Sequence, residues 1–282
     1  MKFKQKIALR YIQTKFRLLA SISKKKAAEK AFELFCTPQF RNVKELPSIF
    51  FENAENLSFK FQHFNIAGYR WNKGGSRKAL IIHGFESSVI NFDKYITALI
   101  KKGYEVLAFD APAHGRSSGK QVNAIIYRDF IKHIYQNFGP IKSVMAHSFG
   151  GLALSMALAE IKHDESYRLV LIAPATETKT AIDLFFQFVR INDEMVRNEF
   201  DHIITRISGH PVAWFSIRRT VQKINAKILW LHDEDDNVTP LNDVYTIRKE
   251  NHPNIEFIIT KGLGHRRIYR DAEVGKRIVE FM

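Results

Sequence analysis

The sequence predicts an α/β domain built on a mostly parallel, twisted eight-stranded sheet with helices on both faces. Three observations lead there. Short apolar runs recur at about residues 57–64, 66–71, 78–82, 104–109, 141–146, 168–173, 226–231 and 255–259. After the opening pair they alternate with helical stretches, and such alternation builds a parallel sheet because each crossover between parallel strands needs a dozen or more residues. A serine, Ser148, stands between one apolar run and an Ala- and Leu-rich stretch, with Ala146 and Gly150 two positions away on either side.

The chain of 282 residues, 45% hydrophobic, fits one large unit with a sizeable core. No internal repeat or low-complexity linker divides it. The expected organisation is a single domain over 1–282, carrying an N-terminal basic helical extension at 1–40 and a helical insertion at 175–225. Residues 1–30 hold ten Lys or Arg against the single acid Glu29, and Ile7, Tyr11, Thr14, Leu18 and Ile22 repeat there at helical spacing. A basic amphipathic helix of this kind suits an anionic membrane surface. It equally suits packing on the folded core with its lysines solvated, and the sequence leaves both open. Lys and Arg total 43 against 29 Asp and Glu, a net charge of +14. No nucleic-acid-binding motif accompanies that charge, so nucleic acid is not an expected partner.

The hairpin formed by 57–64 and 66–71 opens the sheet. The run Ala79-Leu80-Ile81-Ile82 leads into His83-Gly84-Phe85, and 104–109 leads into Asp110-Ala111-Pro112-Ala113-His114-Gly115-Arg116-Ser117. Ile141 to Ala146 reads as a buried strand and Leu152 to Ile161 as a helix. A serine in the tight turn between such elements takes strained backbone angles, and only small residues two before and two after it avoid a clash. Strand 168–173 precedes the insertion. Strand 226–231 then runs into His232-Asp233-Glu234-Asp235-Asp236-Asn237-Val238-Thr239-Pro240, and 255–259 into Lys261-Gly262-Leu263-Gly264-His265. Serine, acid and histidine thus follow one another in chain order, each on a loop just past a strand.

Over roughly residues 57–282 these motifs resemble the α/β-hydrolase fold superfamily, in particular its serine esterase and lipase-like hydrolases. His83-Gly84-Phe85 is similar to its HG oxyanion segment, and the Asp110 loop to D-x-P-G-H-G-x-S with Ala113 where glycine is commoner. The serine segment is similar to G-x-S-x-G with Ala146 in place of the first glycine. The two later loops are similar to H-G-x-x-D-x-x-V-P and G-x-G-H. The resemblance implies a nucleophile at Ser148, a base at His265 and an acid at Asp236, four residues before Pro240. Asp235 is the rival acid, and Asp233 occupies the usual glycine position. It also implies an oxyanion hole from the backbone N–H groups of Phe85 and Phe149, and a cap in the insertion after the sixth strand.

The resulting expectation is a serine hydrolase cleaving a small-molecule carboxylic ester or thioester through an acyl-enzyme. The alternatives are an acyltransferase on the same fold and a non-catalytic ligand-binding or membrane-associated protein of that fold. No cofactor is implied. The acidic run 233–236 lacks the glycine and ligand spacing of a calcium loop, so no metal site is expected. The apolar segment Ile182 to Val189, with Trp214 and Phe215, either lines a pocket for an apolar substrate part or docks the insertion. A lone cysteine, Cys36, and the lack of an apolar leader or spanning run favour a cytoplasmic protein, with peripheral membrane contact through residues 1–30 left open.

Overall fold

The computed structural model describes residues 3–39, 51 and 53–282. Among them the strands are β1 (Glu55–Phe61), β2 (Phe64–Trp71), β3 (Arg77–Ile82), β4 (Tyr104–Phe109), β5 (Ser143–His147), β6 (Arg168–Ile172), β7 (Lys227–Asp233) and β8 (Ile255–Thr260). The helices are α1 (Phe3–Ile22), α2 (Lys24–Phe35), α3 (Asp93–Lys101), α4 (Ala124–Phe138), α5 (Phe149–Leu158), α6 (Thr178–Val189), α7 (Glu194–Ser208), α8 (Ile217–Val221), α9 (Asn242–Lys249), α10 (Gly264–Arg267) and α11 (Ala272–Phe281).

The expected eight-stranded sheet is present, in the order β1-β2-β4-β3-β5-β6-β7-β8. β2 pairs antiparallel with β1 and with β4, and every other pairing is parallel. Most boundaries differ from the sequence pattern by one to three residues, and two of these shifts have a visible local cause or consequence. β1 stops at Phe61 rather than at 64, because Gln62 takes a φ of 52° and closes a hairpin with Phe61 opposite Phe64. The ladder of β5 begins at Ser143, leaving Ile141 buried just outside it.

Period-two alternation decides which residues face which layer. Ala79, Ile81, Val106, Ala108, Met145 and Val170 join Tyr95, Ile96 and Leu99 of α3 and Val274 and Ile278 of α11 in one cluster. Their neighbours Leu80, Leu107, Val144 and Leu171 point the other way and are just as buried. That second face is the one α5 contacts, with α4 and α8 packed beside it. Burial on both faces explains why the central strands read as continuous apolar runs.

The described chain divides into two compact units, one of Pro38–Thr176 with Ser216–Met282, the other of Met1–Thr37 with Glu177–Phe215. The first contains the sheet. In the second, α1 and α2 pack against the inserted helices α6 and α7. Aromatic edges hold it together: Phe32 to Phe200 at 5.6 Å between ring centroids, Phe35 to Phe185 at 5.3 Å, and Phe186 to Phe200 at 5.2 Å. Lys24 is paired with Asp193, and the Gln13 side chain donates to the Phe188 carbonyl at 2.8 Å. The single basic helix read from the sequence is broken at Ser23, whose hydroxyl accepts from the Lys26 N–H and caps α2. The rings of Phe185 and Phe186, read as lining a pocket or docking the insertion, pack against Phe35 and Phe200 within this helical unit.

Candidate active site

β5 delivers Ser148 into a turn with φ 55° and ψ −126°, after which α5 begins immediately. An L-residue held there is strained, and the turn survives because its surroundings fix it. The Ser148 N–H donates to the Ile172 carbonyl at 3.0 Å, and its own carbonyl accepts from Gly151 at 2.9 Å and Ala175 at 3.0 Å. The requirement for a small residue at 150 has a direct cause, since a Cβ on Gly150 would lie 2.4 Å from the His83 carbonyl oxygen.

The structure brings the three sequence-identified side chains together. Ser148 Oγ lies 2.9 Å from His265 Nε2, and His265 Nδ1 lies 2.8 Å from Asp236 Oδ2. The carboxylate beside Nδ1 assigns the proton to that nitrogen, which leaves Nε2 as the acceptor for the serine hydroxyl. All three are buried. Asp236 Oδ1 accepts from the Val238 and Thr239 N–H groups at 2.9 Å each, and Oδ2 lies 2.8 Å from the Thr239 hydroxyl. Burial alone would push the Asp236 carboxyl up. The hydrogen bond and charge of His265, with the Thr239 and Val238 N–H groups, outweigh it and hold the group below the usual carboxylate range.

The two segments expected to supply oxyanion donors flank the serine. A Cβ on Gly84 would lie 2.8 Å from Ser148 Cβ, so the 83–85 backbone runs directly against the nucleophile. Phe149 opens α5, and a first-turn N–H has no acceptor within its own helix. The Phe85 and Phe149 rings meet edge to face at 5.9 Å.

The surrounding histidines tie loops. His83 donates from Nδ1 to the Gly84 carbonyl at 2.8 Å and accepts at Nε2 from the Ala111 N–H at 2.9 Å. His114 accepts from the Glu86 N–H at 3.1 Å. His147 donates from Nε2 to the His265 carbonyl at 3.1 Å. Burial pushes His83 down to about 4 and, with help from neighbouring His265, pushes His147 down to about 3. Both therefore stay neutral near pH 7 and keep fixed tautomers. Asp110 accepts from the Val89 N–H at 3.0 Å and the Arg116 N–H at 2.9 Å, which makes it a loop anchor.

Comparison with known proteins bears on the fold. The model of the serine aminopeptidase family S33 matches residues 76–206. A serine hydrolase-like protein of Dictyostelium discoideum is 29% identical over 120 residues, or 40% of this chain, and the match spans about a third (33%) of that relative's length. An esterase of Pyrococcus furiosus superposes with a TM-score of 0.65 at 19% identity, covering 87% of this chain and 95% of that one. The esterase Est1E of Butyrivibrio proteoclasticus, solved with ferulic acid bound, gives a TM-score of 0.62 at 19% identity over 80% of this chain and 97% of that one. At such identities the likeness establishes the fold. The chain has the α/β-hydrolase fold.

The family match includes Ser148 and stops short of Asp236 and His265, whose placement rests on geometry alone. Within this fold the acid loop holds groups to which motif reading gave no role. Asp233, at a position where the superfamily pattern has glycine, accepts from the Gly264 N–H at 2.8 Å, the Leu263 and Asp235 N–H groups at 3.0 Å and the Thr260 hydroxyl at 2.7 Å. Asp235 accepts from the Gly262 N–H at 2.9 Å, not from His265. Two of the three aspartates thus pin the backbone that carries the histidine, and the third receives the imidazole. Thr239 closes the cluster, its hydroxyl also lying 3.1 Å from the Ala173 carbonyl and from His265 Nδ1. The visible signal for Asp233 was its departure from glycine. Thr239 carried no signal beyond its place before Pro240. Among the described residues no group of His, Cys, Asp and Glu is arranged to hold a metal.

Proposed function

We propose that this protein of α/β-hydrolase fold is a serine hydrolase that cleaves a small-molecule carboxylic ester or thioester through an acyl-enzyme. The observation that carries the reading is the continuous relay from Ser148 Oγ to His265 Nε2 at 2.9 Å and from His265 Nδ1 to Asp236 Oδ2 at 2.8 Å. In this reading Ser148 attacks the carbonyl carbon while its proton passes to Nε2, and Asp236 stabilises the imidazolium without taking its proton. The tetrahedral oxyanion accepts from the Phe85 and Phe149 N–H groups. His265 then protonates the leaving alcohol or thiol, and water, deprotonated by the same nitrogen, releases the acid. The esterases of similar fold support ester chemistry. The aromatic rings that suggested an apolar substrate part are engaged within the helical unit, so the proposal carries no preference for an apolar acyl chain.

Turnover of short p-nitrophenyl esters, with labelling by a fluorophosphonate probe, tests this. Ser148→Ala should abolish labelling and lower kcat roughly 10⁴- to 10⁶-fold, the scale on which removing a triad serine acts. Labelling that survives in the variant, or no turnover by the parent protein, would overturn the reading in favour of another nucleophile or a non-catalytic protein.

A further inference from the structure

The helical unit presents an apolar stripe to solvent that its own packing does not use. Tyr11, Leu18 and Ile22 of α1 are 69%, 60% and 80% exposed. At ~100° per residue they fall within about 40° of one another around the helix. Phe16 and Ala20, the buried residues of α1, lie roughly opposite. One face of the helix is therefore occupied, and a second apolar face remains bare. Gln13, whose side chain donates to the Phe188 carbonyl, stands on the buried side with Phe16 and Ala20, so the stripe belongs to α1 itself.

Along α1 every charged residue is basic. Residues 1–30 contain ten Lys or Arg and one acid, and Arg10, Lys15 and Arg17 are exposed beside the stripe. Amphipathic helices with exposed apolar side chains and a cationic rim enter the boundary between headgroups and acyl chains of anionic bilayers, gaining from apolar burial and from charge together. No helix among the described residues is long and apolar enough to cross a membrane, so an in-plane contact is the form this chemistry takes.

We infer that the helical unit is a peripheral docking surface for anionic lipid bilayers, seated through Tyr11, Leu18 and Ile22 and rimmed by the α1 cations. The inference stands apart from the hydrolase reading, since it is tested by binding alone.

Sedimentation of the full chain with phosphatidylcholine vesicles, with or without admixed phosphatidylglycerol, reads it out. The protein should pellet with the anionic vesicles only, and high salt should release it by screening. Leu18→Ser with Ile22→Ser should lower the partition coefficient roughly tenfold or more by removing apolar burial. Arg10→Gln with Arg17→Gln should lower it roughly 25-fold, at about fivefold for each cation near the surface. Both double variants replace exposed side chains outside the site and should keep the parent's turnover of a soluble ester. No pelleting with either vesicle, or pelleting undiminished in Leu18→Ser/Ile22→Ser, would overturn the inference. So would light scattering that shows a dimer made monomeric by that variant, which would assign the stripe to a second copy of the chain.

Discussion

The loops around Ser148 and the helices built from the two ends of Met1–Thr37 and Glu177–Phe215 are held by opposite kinds of force. In the loops almost every tie is a hydrogen bond to a buried charge or a fixed imidazole. Asp233 and Asp110 accept from backbone N–H groups of other loops, Asp236 accepts from those of its own loop, and His83 and His147 bridge segments as neutral rings. In the helices the ties are ring contacts, with ion pairs that are partly solvated. Directional bonds fix positions to a fraction of an ångström and fail sharply when one partner is lost. Ring packing fixes area and volume, and its losses scale with what is removed.

The sharpest way to break the comparison is within the acid loop, where neighbouring aspartates have different duties. Asp236→Asn leaves the geometry nearly unchanged but disfavours the tautomer in which Nδ1 carries the proton, and such changes lower kcat by roughly 10⁴-fold. Asp235→Asn keeps an oxygen for the Gly262 N–H on an exposed side chain, and should cost about tenfold or less. Steady-state turnover of one ester by both variants checks this. Similar losses would mean that loop anchoring, and not the imidazole contact, dominates at this corner.

These duties also mark where sequence reading succeeds. The strands were legible because burial on both faces leaves unbroken apolar runs, and Ser148 because a tight turn with positive φ forces small neighbours at fixed offsets. Asp236 and His265 were legible through their chain order on loops after strands. What was not legible depends on pairs of segments far apart in sequence. Nothing in residues 24–35 announces that Phe32 and Phe35 will meet Phe200 and Phe185, since an aromatic on an amphipathic helix shows that it has a partner and not which one. Asp233 was hidden for the same reason, because its acceptors serve N–H groups some thirty residues downstream. Ser23 could have been read as an N-cap, but the helical spacing that runs through Ile22 and the lysines that follow masked it.

The next largest effect belongs to the helical unit. Phe200 is fully buried and contacts Phe32, Phe35 and Phe186. Phe200→Ala should cost about 3–5 kcal/mol, from lost transfer free energy and the cavity left behind. Because the cluster joins both chain segments, amide hydrogen exchange should quicken together in residues 10–37 and 177–215. Exchange that rises in 177–215 alone would show that the inserted helices and the N-terminal helices are held independently, and would remove the comparison's second half.

The smallest effect tests strain against burial at one position. Ala113 stands where the superfamily pattern has glycine, and it sits at φ 66° with its N–H donating to the Ser118 carbonyl at 2.9 Å. A left-handed conformation costs an L-residue about 1–2 kcal/mol, which glycine does not pay. Against that, Ala113→Gly exposes the unfolded chain to greater entropy and removes a buried methyl group worth about 0.8 kcal/mol. The terms nearly cancel, with strain relief slightly ahead, so the variant should gain about 0.5 kcal/mol or less and raise Tm by about 1–2 °C. A fall in Tm would show that at this loop, as in the helical unit, filled volume outweighs backbone geometry, and the contrast between the two regions would narrow to the charged groups alone.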